Sequence, residues 1–307
     1  MSSIRIISAV IVLTGLALIV QAQTPHTAND FWKRANERYA RGDLDGASAD
    51  FTQAIELSSR LGKYQSDLQN EASGYNRVRV LSPLAADAYA FRGLIHYARH
   101  DYDSAISDCS AAIAIKPRLF QAYNYRGQAR LAKQELDQAI KDFDRAIEIN
   151  PRYEDAYNNR GNLYAARGEL DRALADYNQT LKLNPQTATV YYNRGLILLE
   201  QGQLDRARDD FNRTLALDAG LGNAYYGHGL ILIRKNEMAQ AIRQFTRALE
   251  LMPQHALAHA NRGLAYLKLN RTIEAERDFD LALKLEPDLK ILLEQRIKSV
   301  KELWNQQ

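Results

Sequence analysis

The side chains of this chain that could carry chemistry are few, and most are spaced by whole helical turns. Two histidine pairs stand four residues apart, His96 with His100 and His255 with His259. A helix brings such residues to one face, as two metal ligands require, and Asp101 and Asp103 follow the first pair. That spacing alone is weak evidence, and ordinary packing or helix-end polar residues account for both pairs without a metal. The single cysteine, Cys109, has no disulfide partner and no companion thiolates for a zinc or iron–sulfur cluster, and it reads as a small buried hydrophobe rather than a nucleophile. Neither a phosphate-binding loop nor a His-Glu-x-x-His pattern occurs. The residues thus point to no enzyme, no cofactor and no metal.

Composition narrows the remaining classes. With 46% apolar residues, 7 prolines and 16 glycines in 307 positions, the chain can bury a core and is neither disordered nor collagen-like. Forty basic against 37 acidic side chains give +3, or +2 once Arg5 is set aside, too balanced for a nucleic-acid binder. Residues 1–22 have the layout of a secretory signal: Arg5, an apolar run from Ile6 to Val20, and Val20 and Ala22 as the small-residue cleavage pair. The run falls short of the roughly 20 residues that cross a hydrocarbon core, so cleavage is expected, with an uncleaved N-terminal anchor as the other reading. The expected location is periplasmic or secreted, with no membrane contact after cleavage.

From residue 86 a pattern recurs every 34 positions, in units 86–119, 120–153, 154–187, 188–221, 222–255 and 256–289. Position 8 of each unit is glycine, from Gly93 to Gly263, and position 20 is alanine, from Ala105 to Ala275. Rings recur at position 4 (Tyr89, Tyr123, Tyr157, Tyr191, Tyr225) and position 24 (Phe143, Tyr177, Phe211, Phe245, Phe279), with His259 and Cys109 as the exceptions. Small residues let two helices approach and the rings fill the space left. Position 32 is proline except at Ala219, and is expected to stop the second helix. Each unit is predicted as helix, tight turn, helix. A divergent first unit spans 28–61, with Ser59 at the proline position. It follows a linker at 23–27 and precedes a 24-residue insertion, 62–85, broken by Gly62, Gly74, Ser82 and Pro83, either a lengthened helix with a loop or a lid. Residues 290–307 are predicted to form a capping helix for the last unit.

Two further positions vary together. Position 7 is Arg34, Arg92, Arg126, Arg160, Arg194 and Arg262, and position 23 is Asp50, Asp108, Asp142, Asp176, Asp210 and Asp278. Only the sixth unit departs, and it departs at both places, with His228 and Gln244. An arginine–carboxylate pair between the two helices is expected, because the guanidinium fork matches a carboxylate. Asn178-Gln-Thr180, Asn212-Arg-Thr214 and Asn270-Arg-Thr272 fit a glycosylation acceptor pattern, but repeat packing explains them better.

The spacing of aromatic, glycine, alanine, aromatic and proline over residues 28–289 resembles the tetratricopeptide repeat family. The resemblance implies an all-α fold, a right-handed α-solenoid superhelix of about seven hairpins plus the capping helix. In this family first helices line a concave groove and the usual role is binding other proteins, so the resemblance implies a non-catalytic scaffold. Positions 2, 5, 6, 9, 12 and 13 of the family's first helices tend to face the groove. Here they supply Asn124 and Gln128, then Asn158, Asn159 and Asn162, then Asn193 and Asn261, with Tyr192 and Tyr226 among them. Amides both donate and accept, so these residues are expected to hold the backbone of an extended partner segment, with the tyrosines stacking and hydrogen-bonding. The position-6 amides are interrupted by Phe91, Tyr125 and Gly227, and no three successive units carry the basic residues of the carboxylate-clamp variants. A role in bacterial cell-envelope assembly or maintenance is expected. The alternative is a structural adaptor that acts through its convex face or the 62–85 insertion; oligomeric state stays open.

Overall fold

A computed structural model describes residues 27–72 and 83–304, with the side chains of 61–72 and 303–304 outside that description. Residues 1–22, where a leader is expected, most of the linker and insertion residues 73–82 also lie outside it. Every regular element among the described residues is helical. The chain divides into two compact units, residues 1–156 and 157–307, with the boundary in the first turn of a helix.

The first unit holds α1 (Ala28–Ala40), α2 (Leu44–Ala72), α3 (Pro83–Ala98), α4 (Tyr102–Ile115), α5 (Phe120–Ala132) and α6 (Leu136–Ile149). They pair as α1/α2, α3/α4 and α5/α6, and successive hairpins stack through α2 on α3 and α4 on α5. The second unit holds α7 (Glu154–Ala166) from Tyr157 onward, α8 (Leu170–Leu183), α9 (Ala188–Glu200), α10 (Leu204–Leu217), α11 (Gly222–Arg234), α12 (Met238–Leu251), α13 (Ala256–Lys268) and α14 (Thr272–Leu285). A 3-10 turn (Pro287–Leu289) leads into α15 (Lys290–Trp304). The hairpins again stack in chain order, α10 on α11 and α12 on α13. Within each unit this is the α-solenoid arrangement of hairpins that the 34-residue spacing predicts.

Packing inside a hairpin explains the small residues. A Cβ built on Gly127 would lie 2.6 Å from Phe143, one on Gly195 2.7 Å from Phe211, and one on Gly229 2.4 Å from Phe245. These rings are fully buried, each contributing about 1.5–3 kcal/mol of apolar transfer, and only a glycine opposite leaves them room. In the second hairpin Cys109 Sγ takes the ring's place, 2.7 Å from a Cβ on Gly93. The connection between paired helices passes through a left-handed residue at position 15 in every hairpin: Gly42, His100, Gln134, Gly168, Gly202, Asn236 and Asn270. Only three are glycine, so composition there conceals a strictly repeated conformation.

The arginine–aspartate pairs form in all six hairpins that carry both residues. Arg160 donates through Nε and Nη2 to Asp176 at 2.8 and 2.7 Å, and Arg194 does the same to Asp210 at 2.8 and 2.7 Å. The guanidinium lies over the position-4 ring, 5.7 Å from Tyr157 and 5.5 Å from Tyr191. Its remaining nitrogen reaches the preceding hairpin: Arg92 to Thr52 at 3.1 Å, Arg126 to Ser110 at 3.1 Å, Arg194 to Asn178 at 2.7 Å and Arg262 to Thr246 at 3.0 Å. One side chain therefore closes its own hairpin and ties it to the last one. Thr180 and Thr214 are buried and donate to Asp176 and Asp210 carbonyls four residues back, which gives two of the glycosylation patterns a packing role.

Proline is not the only stop of the second helices. α10 ends at Leu217, in register with α6 and α8, although Ala219 stands where they have Pro151 and Pro185. These three share a device at position 31, where Asn150, Asn184 and Asp218 turn extended and accept the N–H two residues on, at 3.1, 3.1 and 2.8 Å. α4, α12 and α14 have Lys116, Met252 and Glu286 there and end before Pro117, Pro253 and Pro287. The first unit has Ser58 and Ser59 there, and α2 runs on to Ala72 through Gly62, which is helical and no breaker. The first part of the insertion is thus a lengthened helix. At the other end α15 packs chiefly on α13, burying Leu293 and Val300 and leaving Ile291 71% exposed. Among the described residues no helix is long and apolar enough to cross a membrane.

Candidate functional site

In the second unit the first helices α9, α11 and α13 lie side by side, packed as a row by the hairpins behind them. Two groups of amide and phenol contacts mark this face, one joining α7, α8 and α9 and the other α11 and α13. Asn162 Oδ1 accepts from Tyr177 Oη at 2.8 Å and from Asn193 Nδ2 at 3.1 Å. Asn261 Nδ2 donates to Tyr226 Oη at 3.1 Å and to the Leu257 carbonyl at 2.9 Å. Tyr192 is half-buried against Phe211, and burial pushes its phenol up to about 12. For Tyr226, burial raises the phenol while the bond from Asn261 and the nearby charge of Arg296 oppose the rise. Both tyrosines are neutral donors at physiological pH.

Not every predicted contact residue is free to meet a ligand. Asn124 is 1% exposed and donates to Tyr153 Oη at 3.2 Å, so it is a wall amide of the first unit rather than a groove contact. Tyr226 and Asn261 are 8% and 7% exposed and engage each other. Asn158, Asn159, Asn162, Asn193 and Gln128 remain half-buried. Asn158 is distinctive: its Oδ1 is inaccessible to solvent and has no hydrogen-bond partner. An unpartnered buried acceptor costs about 1–3 kcal/mol. The break in the position-6 amides at Gly227 has a steric cause, since a Cβ there would lie 2.6 Å from Phe211.

Apolar residues share these faces with the amides. In the first unit Phe51 stacks on Phe91 at 5.8 Å and Phe91 meets Tyr125 at 6.3 Å, so the position-6 rings that interrupt the amides pack as an aromatic series. Trp32, on the same row, has a buried Nε1 with no partner. In the second unit a cavity of about 470 Å³ lies against α11, α13 and α15. It is lined by Ile233, Asn261, Leu264 and Lys268, four positions that the resemblance assigns to one face, and by Arg296 and Val300 of α15. The signal for it was the 34-residue register itself, which continues into α15 and puts Arg296 at position 7.

The metal and nucleophile candidates resolve into packing. His100 sits in the left-handed turn after α3, so it and His96 do not share a helix face. His255 caps α13 by accepting the Ala258 N–H at 3.1 Å, while His259 bridges Asp278 at 2.9 Å and the Pro253 carbonyl at 3.1 Å. Cys109 is fully buried and its thiol is pushed up to about 12, chiefly by desolvation. Among the described residues no three His, Cys, Asp or Glu groups could hold a metal ion.

Family models described as tetratricopeptide repeat or TPR repeat match residues 33–120, 127–202, 188–221, 229–270 and 256–289. Among curated proteins none matches this chain. Solved structures share the fold at low identity. PilF of Pseudomonas aeruginosa is 18% identical, with 70% of this chain and 96% of that chain covered and a TM-score of 0.62. A tetratricopeptide repeat protein from Parabacteroides merdae is 20% identical, with 71% and 92% covered and a TM-score of 0.57. YrrB, described as a TPR protein with an unusual peptide-binding site, is 22% identical, with 63% and 97% covered and a TM-score of 0.50.

Proposed function

We propose that this chain, which belongs to the tetratricopeptide repeat family, is a non-catalytic scaffold whose first-helix face in the second unit holds an extended segment of a partner protein. Proteins of this family mediate protein–protein interactions; the groove, the extended segment and the setting are our reading. The observation that carries it is the set of half-buried amides of Asn158, Asn159, Asn162 and Asn193 on successive first helices, two of them joined by the bond from Asn193 Nδ2 to Asn162 Oδ1. Such amides pair with the backbone of an extended chain whatever its side chains. The leader at 1–22 supports export and a periplasmic or secreted site of action, where the partner would serve envelope assembly or maintenance.

The test is affinity capture from envelope extracts with the mature chain and, in parallel, an Asn158→Asp, Asn159→Asp, Asn193→Asp variant, read by mass spectrometry. Aspartate keeps the side-chain shape while removing the amide donor and adding a charge that repels peptide carbonyls. A partner lost only in the variant supports the reading. Identical captures refute it and favour action through another face or the 62–85 segment, of which α2 already extends to Ala72.

A further inference from the structure

We infer that the cavity closed by α15 is an end pocket of that groove, built for an apolar side chain followed by a carboxylate within a partner's extended segment. This rests on the proposed peptide-binding role and adds the chemistry of one subsite. Its floor is apolar, with Ile233, Leu264 and Val300, and at about 470 Å³ it has room for a leucine- or phenylalanine-sized group with adjoining backbone. Two cations stand at its edge. Lys268 is exposed and Arg296 is exposed, and neither makes an ion pair among the described residues. The Arg296 fork meets Asn261 Oδ1 at 3.5 Å, the limit of a hydrogen bond. Two cations without a carboxylate partner among the described residues thus stand beside an apolar hollow.

Charge complementarity selects the occupant. An anion beside an apolar group fits both halves of the pocket, and a carboxylate can replace the weak Asn261 contact with a two-pronged one. α15 thus does more than shield the last hairpin. By packing on α13 instead of continuing the stack on α14, it bounds the recess and supplies its arginine.

The experiment is selection of a displayed random short-peptide library against the full mature chain, followed by anisotropy titration of enriched, end-blocked peptides. Titrations use the wild type, an Arg296→Gln, Lys268→Gln variant and the Asn158→Asp, Asn159→Asp, Asn193→Asp variant, each checked by circular dichroism. The expected result is enrichment of an apolar residue next to Asp or Glu, with about tenfold or greater weakening in the Arg296→Gln, Lys268→Gln variant and weakening at high salt. Enriched peptides without an acidic residue, or equal binding to that variant, overturn the pocket. If those peptides still lose affinity in the asparagine variant, the groove reading survives while the pocket falls. Failure to enrich any peptide sinks both. Decanoate is a further arm: if it binds and no peptide does, the site takes a free amphiphilic carboxylate and the inference is wrong.

Discussion

Asp176→Ala should be among the most damaging single changes at a polar position of this chain. Asp176 is 5% exposed and accepts two charge-assisted bonds from Arg160, at 2.8 and 2.7 Å. Charged hydrogen bonds each carry about 1.5–3 kcal/mol, yet the pair as a whole is worth much less, because both ions were taken from water. Truncating one partner recovers none of that desolvation: the Arg160 side chain stays about four-fifths buried, 19% exposed, under the Tyr157 ring with its carboxylate gone. The expected loss is about 3–5 kcal/mol, or a drop in Tm of about 6–20 °C for a cooperative unit of this size. Replacing both, as Arg160→Met with Asp176→Leu, should cost less than half as much, since no uncompensated charge remains. The sixth hairpin is the natural control: it lacks both partners, with His228 and Gln244 in their places, and α11 and α12 keep the same lengths as their counterparts. Thermal unfolding of the wild type, both single variants and the double variant by circular dichroism completes the cycle. Equal losses in Asp176→Ala and the double variant, or a shift for Asp176→Ala of less than about 2 °C, would refute an energetically coupled pair.

Gly229→Ala should lower stability by about 2 kcal/mol, because overpacking against Phe245 outweighs the gain of about 1 kcal/mol in helix propensity. Gly161→Ala, where the nearest ring atom would be 3.0 Å away rather than 2.4 Å, should be close to neutral, and equal Tm values for the two variants would contradict the steric account. Cys109 should resist a thiol reagent in the native chain and titrate fully in denaturant, given its burial and a thiol pushed up to about 12; fast native labelling would be incompatible with the buried slot. His228 and His255 are both held below the usual 6.5, chiefly by burial. The unfolded chain thus binds protons before the folded one, so this stability is present above about pH 6.5 and is lost as pH falls through that value toward the depressed folded pKa values. A His228→Gln, His255→Asn variant should show a shallower loss of Tm between about pH 7.5 and pH 5 than the wild type, and parallel curves would count against it.

The hairpins could be read from the sequence because each is specified locally and repeatedly. Gly229 opposite Phe245 and Arg194 opposite Asp210 are pairs 16 residues apart, and their covariation across units carries the geometry. Helix ends carry two signals, of which proline at position 32 was the visible one. The Asx turn at position 31 ends α10 without a proline, and α2, with Ser58 and Ser59 in place of both, runs on to Ala72. The left-handed position 15 was hidden because His100, Gln134, Asn236 and Asn270 adopt it beside three glycines.

The face of the first helices was harder to read than the hairpins, and the reason is physical. Register assigns a residue to a face but not its partner, and an amide on the binding face has the same sequence signature as one satisfied internally. Asn124 turns to Tyr153 and Asn261 to Tyr226, contacts 29 and 35 residues distant, whereas Asn158 finds no acceptor's complement at all. The same separation governs Arg296. In six hairpins the arginine's carboxylate lies 16 residues on, so a sequence pattern pairs it; Arg296 meets Asn261, 35 residues back, a contact that no such pattern marks. A repeat protein satisfies many of its polar groups through the neighbouring hairpin, so residue type and register show which face a side chain takes but not which contact it makes.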